Sequence, residues 1–330
     1  MAVSDPERLT RKIREALAPC SLGRWPTPLE PAPAFLASLG LDALWLKRED
    51  RSAPRCGGNK VRGLEFLLAD APAGSVFVTV GGTGSTHCLA TAVHAAALSC
   101  RVALAQFPQP ETDASRAVAA ACDAHATLVV RAPTRAALPL ALLAAWHGAR
   151  RFGPRRWIPG GGAHPRAVVG HFLAALELAQ QLPAPPEAIV APLGTGGTVA
   201  GLLLGVAQLG WPTRVVGVRV APAIVANRWR TRRLALRTAR LLASRGVRIA
   251  ALTSRMLFQL VDGLGGKGYG YPTAEGEAAR RLAAEHGLTL DPTYGAKAFA
   301  FLLQRGTCNV RRVVFWHTFG VPCPTPEPER

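Results

Sequence analysis

The chain is organised around the stretch CGGNKVRGLEF, residues 56–66, in which two glycines and an asparagine lead into an apolar-patterned run. Paired glycines directly before a helix suit a backbone that comes close to a ligand. We expect Asn59 to be the N-cap of a helix, which puts Lys60 in its first turn. The free N–H groups and the dipole of that turn favour an anionic ligand and a deprotonated amine. The stretch therefore predicts a lysine at a ligand site.

Lysine is rare in this chain, and its rarity draws attention to Lys60. Of the 39 lysines and arginines only five are lysines, at positions 12, 47, 60, 267 and 297. Arginine keeps its proton near neutral pH, whereas a lysine amine can lose its proton and act as a nucleophile. Schiff-base chemistry, in which an amine bonds covalently to an aldehyde, therefore requires lysine. Lys297 has a simpler interpretation as a charge on a helix surface.

A second glycine-rich stretch, APLGTGGTVAG at residues 191–201, joins an apolar strand-like run to the start of a helix. Small residues let successive backbone N–H groups converge on one anion, and the helix N-terminus adds its dipole. The stretch lacks the lysine of a P-loop and the glycine spacing of a dinucleotide-binding loop. Taken alone, such a loop is often only a tight turn. Its candidate anion-binding residues are Gly194, Thr195, Gly196, Gly197 and Thr198.

Four further stretches carry polar groups at strand or helix ends. The stretch GGTGSTHC, residues 81–88, is another strand-to-helix glycine loop. All three tyrosines fall within KGYGYP, residues 267–272, and LDPTYGAK, residues 290–297. The run VVFWHTFG, residues 313–320, is typical of a buried strand that ends in polar residues. A phenol can bind a carboxylate or pass a proton, so the tyrosines are candidate site residues, with half-buried core tyrosines as the alternative.

The stretches KRED, residues 47–50, and GGNKVR, residues 57–62, resemble the pyridoxal-phosphate enzymes of the D-cysteine desulfhydrase and 1-aminocyclopropane-1-carboxylate deaminase family. The resemblance runs from about Thr27 to about Gly320. It implies a two-domain α/β fold like that of the tryptophan synthase β-subunit (fold type II), in which each domain holds a mostly parallel sheet flanked by helices. It also implies that pyridoxal 5'-phosphate is the cofactor and that Lys60 holds it covalently.

The resemblance implies a role for each matched residue. The implied catalytic residues are Lys60, Ser85, Tyr269 and Tyr294. The implied cofactor-binding residues are Lys60, Asn59, Thr86, Gly194, Thr195, Gly196, Gly197, Thr198 and Thr318, the last of which would meet the pyridine nitrogen. The implied substrate-binding residues are Ser85, Thr86, His87 and Tyr269. For His87 the alternatives to a direct role in substrate binding are a helix cap and a residue on the surface.

Several matched positions depart from the family's pattern. Gly63 stands where a lysine is usual, Gly84 where a glutamine is usual, and Thr86 where an asparagine is usual. Gly295-Ala296 replaces Thr-Gly or Glu-Gly, so a side chain that could approach the pyridine ring is missing. Phe319 replaces a glycine, and its bulk is expected to narrow the pocket. A protein that binds the cofactor without turning over a substrate is therefore one alternative.

The order of elements along the chain predicts its domain organisation. After Lys60, apolar strand-like runs alternate with helix patterns, which indicates βαβ units and parallel sheets. The stretch WIPGGGAHP, residues 157–165, is the strongest break in this alternation. We therefore expect a small domain at residues 51–164 and a large cofactor-binding domain formed by residues 1–50 and 165–330.

Composition excludes several other classes of protein. No apolar run reaches the ~20 residues that span a bilayer, and residues 1–14 lack the apolar core of a signal peptide. The seven cysteines show no metal-ligand spacing, so we expect no metal, reduced thiols and a cytoplasmic location. The net charge of +18 permits non-specific attraction to nucleic acid. The arginines are spread along the chain without a nucleic-acid-binding motif, so we do not expect that function.

These observations predict a pyridoxal-phosphate-dependent lyase or deaminase that catalyses α,β-elimination on a small amino acid. A hydroxyl at Thr318, unlike a carboxylate, leaves the pyridine nitrogen largely unprotonated and limits the ring as an electron sink. Chemistry that expels a leaving group soon after the α-proton is removed suits such a ring. The alternatives are a deaminase that opens the cyclopropane amino acid, an amino-acid racemase, or the inactive cofactor-binding protein. The resemblance also implies a homodimer.

Overall fold

The computed structural model describes residues 5–252, 257–262, 266–305 and 310–320. Its helices are α1 Pro6–Leu17, α2 Leu36–Leu39, α3 Lys60–Leu67, α4 Thr86–Ala96, α5 Asp113–His125, α6 Leu138–Ala149, α7 Pro165–Gln181, α8 Gly197–Leu209, α9 Arg228–Ser244, α10 Ala274–Glu285 and α11 Gly295–Arg305. Its strands are β1 Leu29–Pro31, β2 Ala43–Arg48, β3 Val76–Gly82, β4 Arg101–Phe107, β5 Leu128–Arg131, β6 Arg155–Trp157, β7 Ala188–Leu193, β8 Arg214–Arg219, β9 Phe258–Val261 and β10 Arg312–His317.

Two sheets organise these elements. The larger sheet has six strands in the order β1-β2-β10-β7-β8-β9, and the smaller has four in the order β5-β4-β3-β6. Strand pairs are parallel in both sheets, except that β1 pairs antiparallel with β2. Parallel neighbours need crossover connections, which the helices supply. The predicted α/β fold with two mostly parallel sheets flanked by helices is confirmed.

The chain builds the two sheets in a nested order. Strands β1 and β2 enter the larger sheet first, β3 to β6 then form the smaller sheet, and β7 to β10 complete the larger one. The centre of the larger sheet is covered on both faces, and all six residues of β7 are buried. The domain boundaries expected at residues 51 and 164 stay a prediction.

Helix α3 packs closely against α7 because glycines lie at the contact. A Cβ atom on Gly63 would lie 2.9 Å from the Cβ of Ala167. A Cβ atom on Gly170 would lie 2.1 Å from the carbonyl oxygen of Arg62. Gly63 therefore has a packing reason at the position where the family usually has lysine. This contact offsets the roughly 1 kcal/mol that a glycine costs inside a helix.

A buried cluster of charged side chains fixes α3 to β2 and α7. Arg62 donates hydrogen bonds to Glu49 at 2.6 Å and to Glu177 at 2.8 Å. Lys47 donates to Glu177 and, at 2.8 Å, to the carbonyl oxygen of Thr27. Buried charges are tolerated when each has an opposite partner, as here. The KRED stretch thus supports the helix that begins with the predicted anchor lysine.

Within the described ranges, no helix is both long and apolar enough to cross a membrane, and no group of three metal-ligating side chains could hold an ion. Burial raises the pKa of the Cys88 thiol to about 12, which disfavours a reactive thiolate at neutral pH. Cys308 and Cys323 lie outside the described residues.

Candidate active site

A cavity of about 520 Å³ opens where the carboxyl ends of β3, β7 and β10 meet. In open α/β sheets, ligands bind in the crevice beyond the carboxyl ends of the strands. Every residue that the sequence predicted for the site lines this cavity. They are Asn59, Lys60, Ser85, Thr86, His87, Gly194, Thr195, Gly196, Gly197, Thr198, Tyr269, Tyr294 and Thr318. Segments far apart in the sequence therefore converge on one volume.

Lys60 points its amine into this cavity. Its Nζ atom donates a hydrogen bond to the carbonyl oxygen of Gly161 at 3.2 Å. Burial disfavours the charged ammonium and lowers the pKa of Lys60 to about 8. Gly161 has φ +66°, and a Cβ atom there would lie 2.6 Å from Oγ1 of Thr195. The triple glycine within residues 157–165, which the sequence marks only as a break, therefore forms part of the cavity wall.

Asn59 joins the start of α3 to the other half of the site. Asn59 is the N-cap residue of α3, as expected, but its side chain makes no capping hydrogen bond and its own backbone is helical. Instead its Nδ2 atom donates to Oγ1 of Thr198 at 2.8 Å, and its backbone N–H donates to the carbonyl oxygen of Thr318 at 2.9 Å. Because the Thr198 hydroxyl accepts from Asn59, its own proton is free for an anion in the cavity.

The glycine loop before α8 has the shape of an anion cradle. Gly196 adopts φ +92°, a conformation that favours glycine. A Cβ atom on Gly194 would meet no atom within 4 Å, so the loop borders open space. Helix α8 begins at Gly197, so its first N–H groups and positive dipole end lie at the cavity. This donor set fits a phosphate group.

The loop between β3 and α4 presents a buried histidine. Ser85 is the N-cap of α4, because its Oγ atom accepts from the N–H of Cys88 at 3.4 Å. His87 is 3% exposed and shares a hydrogen bond of 3.0 Å with Oγ1 of Thr79, so it is neither the cap nor a surface residue. Burial and the nearby charge of Lys60 lower the pKa of His87 to about 3. The ring is therefore neutral at physiological pH.

Two tyrosines that line the cavity face each other. The hydroxyl oxygens of Tyr269 and Tyr294 lie 2.5 Å apart. Burial raises the pKa of Tyr269 to about 12 and that of Tyr294 well above its ordinary value, so both phenols keep their protons. The Asp291 carboxylate accepts from the backbone N–H groups of Tyr294 at 2.6 Å and Gly295 at 2.8 Å. Sequence reasoning missed Asp291, although an aspartate just before a helix start is a capping signal.

Phe319 divides the main cavity from a neighbouring one. Its side chain is 6% exposed, and its ring carbon Cδ2 would lie 3.2 Å from a Cβ atom on Gly58. The neighbouring cavity has a volume of about 300 Å³ and shares Thr86, Tyr294 and Phe319 with the main one. The phenylalanine that replaces a glycine of the family pattern therefore limits the room available in the main cavity.

Among the lining residues that the sequence did not predict, three carry a charge or an aromatic ring, and one lysine was misplaced. Phe107 at the end of β4, Arg135 after β5 and Arg230 in the first turn of α9 line the cavity. The usable signal for the first two was their position at or after the carboxyl end of a strand. The surface position expected for Lys297 is wrong, because it is fully buried on α11 and burial lowers its pKa.

Comparisons with known proteins agree with this geometry. Residues 20–318 match the family model described as pyridoxal-phosphate dependent enzyme. The chain is 34% identical over 312 residues to a D-cysteine desulfhydrase of Klebsiella pneumoniae (strain 342), covering 90% of this chain and 92% of that protein. A crystal structure of an ACC deaminase homologue matches with a TM-score of 0.79 and 27% identity, covering 94% of this chain and 95% of that one.

A more distant structure shares the fold alone. Threonine deaminase isoform 2 of Solanum lycopersicum matches with a TM-score of 0.63 at 19% identity, covering 96% of this chain and 85% of that one. The family match spans both sheets and every cavity-lining residue except Phe319. Its cofactor, pyridoxal phosphate, fits the cradle before α8 and the amine of Lys60. The chain belongs to the family of pyridoxal-phosphate-dependent enzymes.

Proposed function

We propose that this enzyme is a lyase that catalyses α,β-elimination on a small amino acid and releases a 2-oxo acid and ammonia. The observation that carries the proposal is the meeting, in one cavity, of the Lys60 amine, the glycine loop at 194–198 and the Tyr269–Tyr294 pair. The 34% identity to a D-cysteine desulfhydrase over most of both chains supports the reaction class. D-Cysteine is accordingly the first substrate to test.

Gly194–Thr198 and the N-terminus of α8 would hold the cofactor's phosphate group. Asn59 would orient the Thr198 hydroxyl toward that phosphate, and Thr318, which also lines the cavity, would hold the pyridine nitrogen. Lys60 would hold the aldehyde end covalently until the substrate amine takes its place. When bound, pyridoxal phosphate supplies an electron sink for the charge left on the α-carbon.

Lys60 is the natural base once the substrate has displaced it. With a pKa of about 8, a substantial fraction of its amine is neutral near physiological pH and can take the α-proton on Nζ. Ser85 and Thr86, at the N-terminus of α4, would bind the substrate carboxylate. His87 would support this end as a neutral ring fixed by Thr79.

The tyrosine pair would assist the departure of the β-substituent. Both phenols remain protonated in the buried site, so Tyr294 or Tyr269 can donate a proton as the bond to the β-carbon breaks. The leaving group departs with the electron pair of that bond and the tyrosine's proton. Lys60 then gives the α-proton to solvent, and the phenolate regains a proton from solvent. Hydrolysis of the released enamine then consumes one water and yields the 2-oxo acid and ammonia.

The alternatives are distinguished by one substrate panel. The cofactor-loaded enzyme is incubated with D- and L-cysteine, β-chloroalanine, D-serine and 1-aminocyclopropane-1-carboxylate, and 2-oxo acid, ammonia and enantiomer ratio are measured. We expect 2-oxo acid from β-chloroalanine and from cysteine. Ring opening is disfavoured because Gly295 carries no side chain. Turnover of the cyclopropane compound alone, racemisation alone, or no reaction at all would contradict elimination.

The resemblance further supports a homodimer in the cytoplasm. Light scattering coupled to size-exclusion chromatography is expected to give twice the mass of one chain, and fractionation of the source cells is expected to recover the protein with the cytosol. A monomer at micromolar concentration or recovery with membranes would contradict these two proposals.

A further inference from the structure

The cavity has an unbalanced charge. Three cationic side chains line it, Lys60, Arg135 and Arg230, and none of its described lining residues is an aspartate or glutamate. A cleft lined by one sign of charge attracts ligands of the opposite sign. We therefore expect the molecules that bind in this cavity to carry several negatively charged groups.

Two of the three cations lie at the cofactor end. Lys60 is assigned to the covalent linkage. Arg230 lies next to Thr231, whose Oγ1 atom would be 2.9 Å from a Cβ atom on Gly196 of the phosphate loop. The cofactor's phosphate thus satisfies the charge at this end. Arg135 is the cation that remains.

Arg135 lies at the substrate end of the cavity. The carbon at the centre of its guanidinium group is 5.6 Å from the ring centroid of Phe107, and that ring lies 6.0 Å from the ring of Tyr269. Burial raises the pKa of Tyr269 to about 12, and the charge of Arg135 acts in the opposite direction. Arg135 is therefore close enough to the tyrosine pair to act on a molecule held there.

The guanidinium group of Arg135 is available for a ligand. Its Nε atom donates to the carbonyl oxygen of Pro108 at 3.5 Å, a long contact, and it forms no ion pair with the carboxylates of the described residues. Arg131, four residues earlier, instead holds both oxygens of Asp123 at 2.6 and 2.7 Å. A guanidinium group offers a planar fork that matches carboxylate, sulfonate or phosphate.

We propose that Arg135 binds a second anionic group on the substrate, so that the enzyme prefers small amino acids whose side chains carry a carboxylate, sulfonate or phosphate. The inference rests on the proposed function, because the proposed binding residues Ser85 and Thr86 take the α-carboxylate and leave Arg135 for the side chain. Phe319 lies between the main cavity and the neighbouring one, so a substrate side chain in the main cavity would extend toward the tyrosines and Arg135.

The test compares ligands that differ in charge and hardly in shape. Aspartate and asparagine, each as both enantiomers, are titrated into the cofactor-loaded enzyme, and the change in visible absorbance gives a Kd without turnover. We expect aspartate to bind about tenfold more tightly or better, as a charge-assisted fork contact implies. Arg135→Gln should abolish this preference and leave asparagine binding unchanged, and Arg135→Lys should keep part of it.

Arg151→Gln is the matched control. Arg151 is also an exposed arginine over a phenylalanine ring, 4.7 Å from the centroid of Phe152, but it does not line the cavity. The Arg151→Gln variant should keep the full preference for aspartate over asparagine. Equal binding of the two ligands, no aspartate binding, or a preference that survives in Arg135→Gln would overturn the proposal. Elimination from β-chloroalanine, whose side chain is neutral, is measured in parallel with the unsubstituted enzyme. If this enzyme does not release 2-oxo acid from β-chloroalanine, the proposed function is contradicted, whereas the proposal for Arg135 is decided by the binding data.

Discussion

The two ends of the cavity are built in different ways. Apart from Lys60 and Arg230, the cofactor end consists of backbone, glycines and short side chains around the loop at 194–198. The substrate end consists of large side chains, among them Tyr269, Tyr294 and Phe319. Loop geometry and helix N-termini determine the first, and packing between distant segments determines the second. The cofactor end can therefore stay constant in a family while the substrate end changes with a few side chains.

Lys60→Ala should produce the largest effect, because it changes only the cofactor end and should remove both activity and the covalent linkage. Removing the amine eliminates the covalent linkage and the proposed base, so activity should fall by roughly 10²–10⁴-fold or more. The yellow absorbance and the borohydride-reducible linkage should both disappear. Lys267→Ala is the control, because Lys267 is exposed and does not line the cavity. A reducible linkage that persists in Lys60→Ala would move the anchor to another lysine.

The cofactor end was predictable because its signals are local. A glycine pair before a lysine and a glycine loop before a helix each lie within about ten residues of sequence. Their pairing was not predictable from local patterns, since Asn59 binds Thr198 139 residues away, and Lys60 binds Gly161 101 residues away. Asn59 occupies the expected N-cap position, but its side chain binds this distant hydroxyl and makes no capping hydrogen bond. A local cap and a distant hydroxyl compete for one amide, and the tertiary contact prevails.

The substrate end and the core were less predictable for the same reason. Arg135 is an ordinary member of an arginine-rich sequence until the fold brings it to the cavity. Lys297 carries no local sign of burial, because a single lysine on an amphipathic helix is usually solvated. The fold itself was predictable from the alternation of strands and helices. The sequence motifs alone could not predict that Phe319 lies between two neighbouring cavities.

Tyr294→Phe should affect the substrate end while leaving the cofactor end intact. The phenol is a proposed proton donor, so its loss should lower kcat for elimination by about 10²-fold, the lower range for a general acid. Cofactor absorbance should stay unchanged. Tyr269→Phe is the matched variant, and the smaller loss of the two identifies the tyrosine further from the leaving group. Unchanged kcat in both variants would exclude the pair from proton transfer.

Phe319→Ala should change selectivity more than rate. Removing the ring joins the two cavities, so kcat/KM for a bulky substrate such as S-benzylcysteine should rise about tenfold relative to cysteine, within the range for apolar pocket changes. Phe319→Leu should give a smaller shift. The alanine variant should also lose about 3 kcal/mol of unfolding free energy, measured by denaturant titration. An unchanged ratio between the two substrates would mean that Phe319 does not border the substrate.

The pH dependence of cofactor uptake tests the environment of the Lys60 amine without any mutation. Burial lowers the pKa of Lys60 from 10.5 to about 8, so its protonated form dominates below pH 8 and its nucleophilic form above it. The rate at which apo-protein forms the covalent linkage should therefore rise about tenfold per pH unit below 8 and level off by about pH 9. His87, with a pKa of about 3, should cause no change of slope near pH 6.5 in the pH profile of this rate. The profile of His87→Gln should therefore have the same shape in this pH range. A rate that keeps rising to pH 10 would mean that Lys60 is solvated like an ordinary lysine. The buried environment of the cofactor end would then not be what prepares it for reaction.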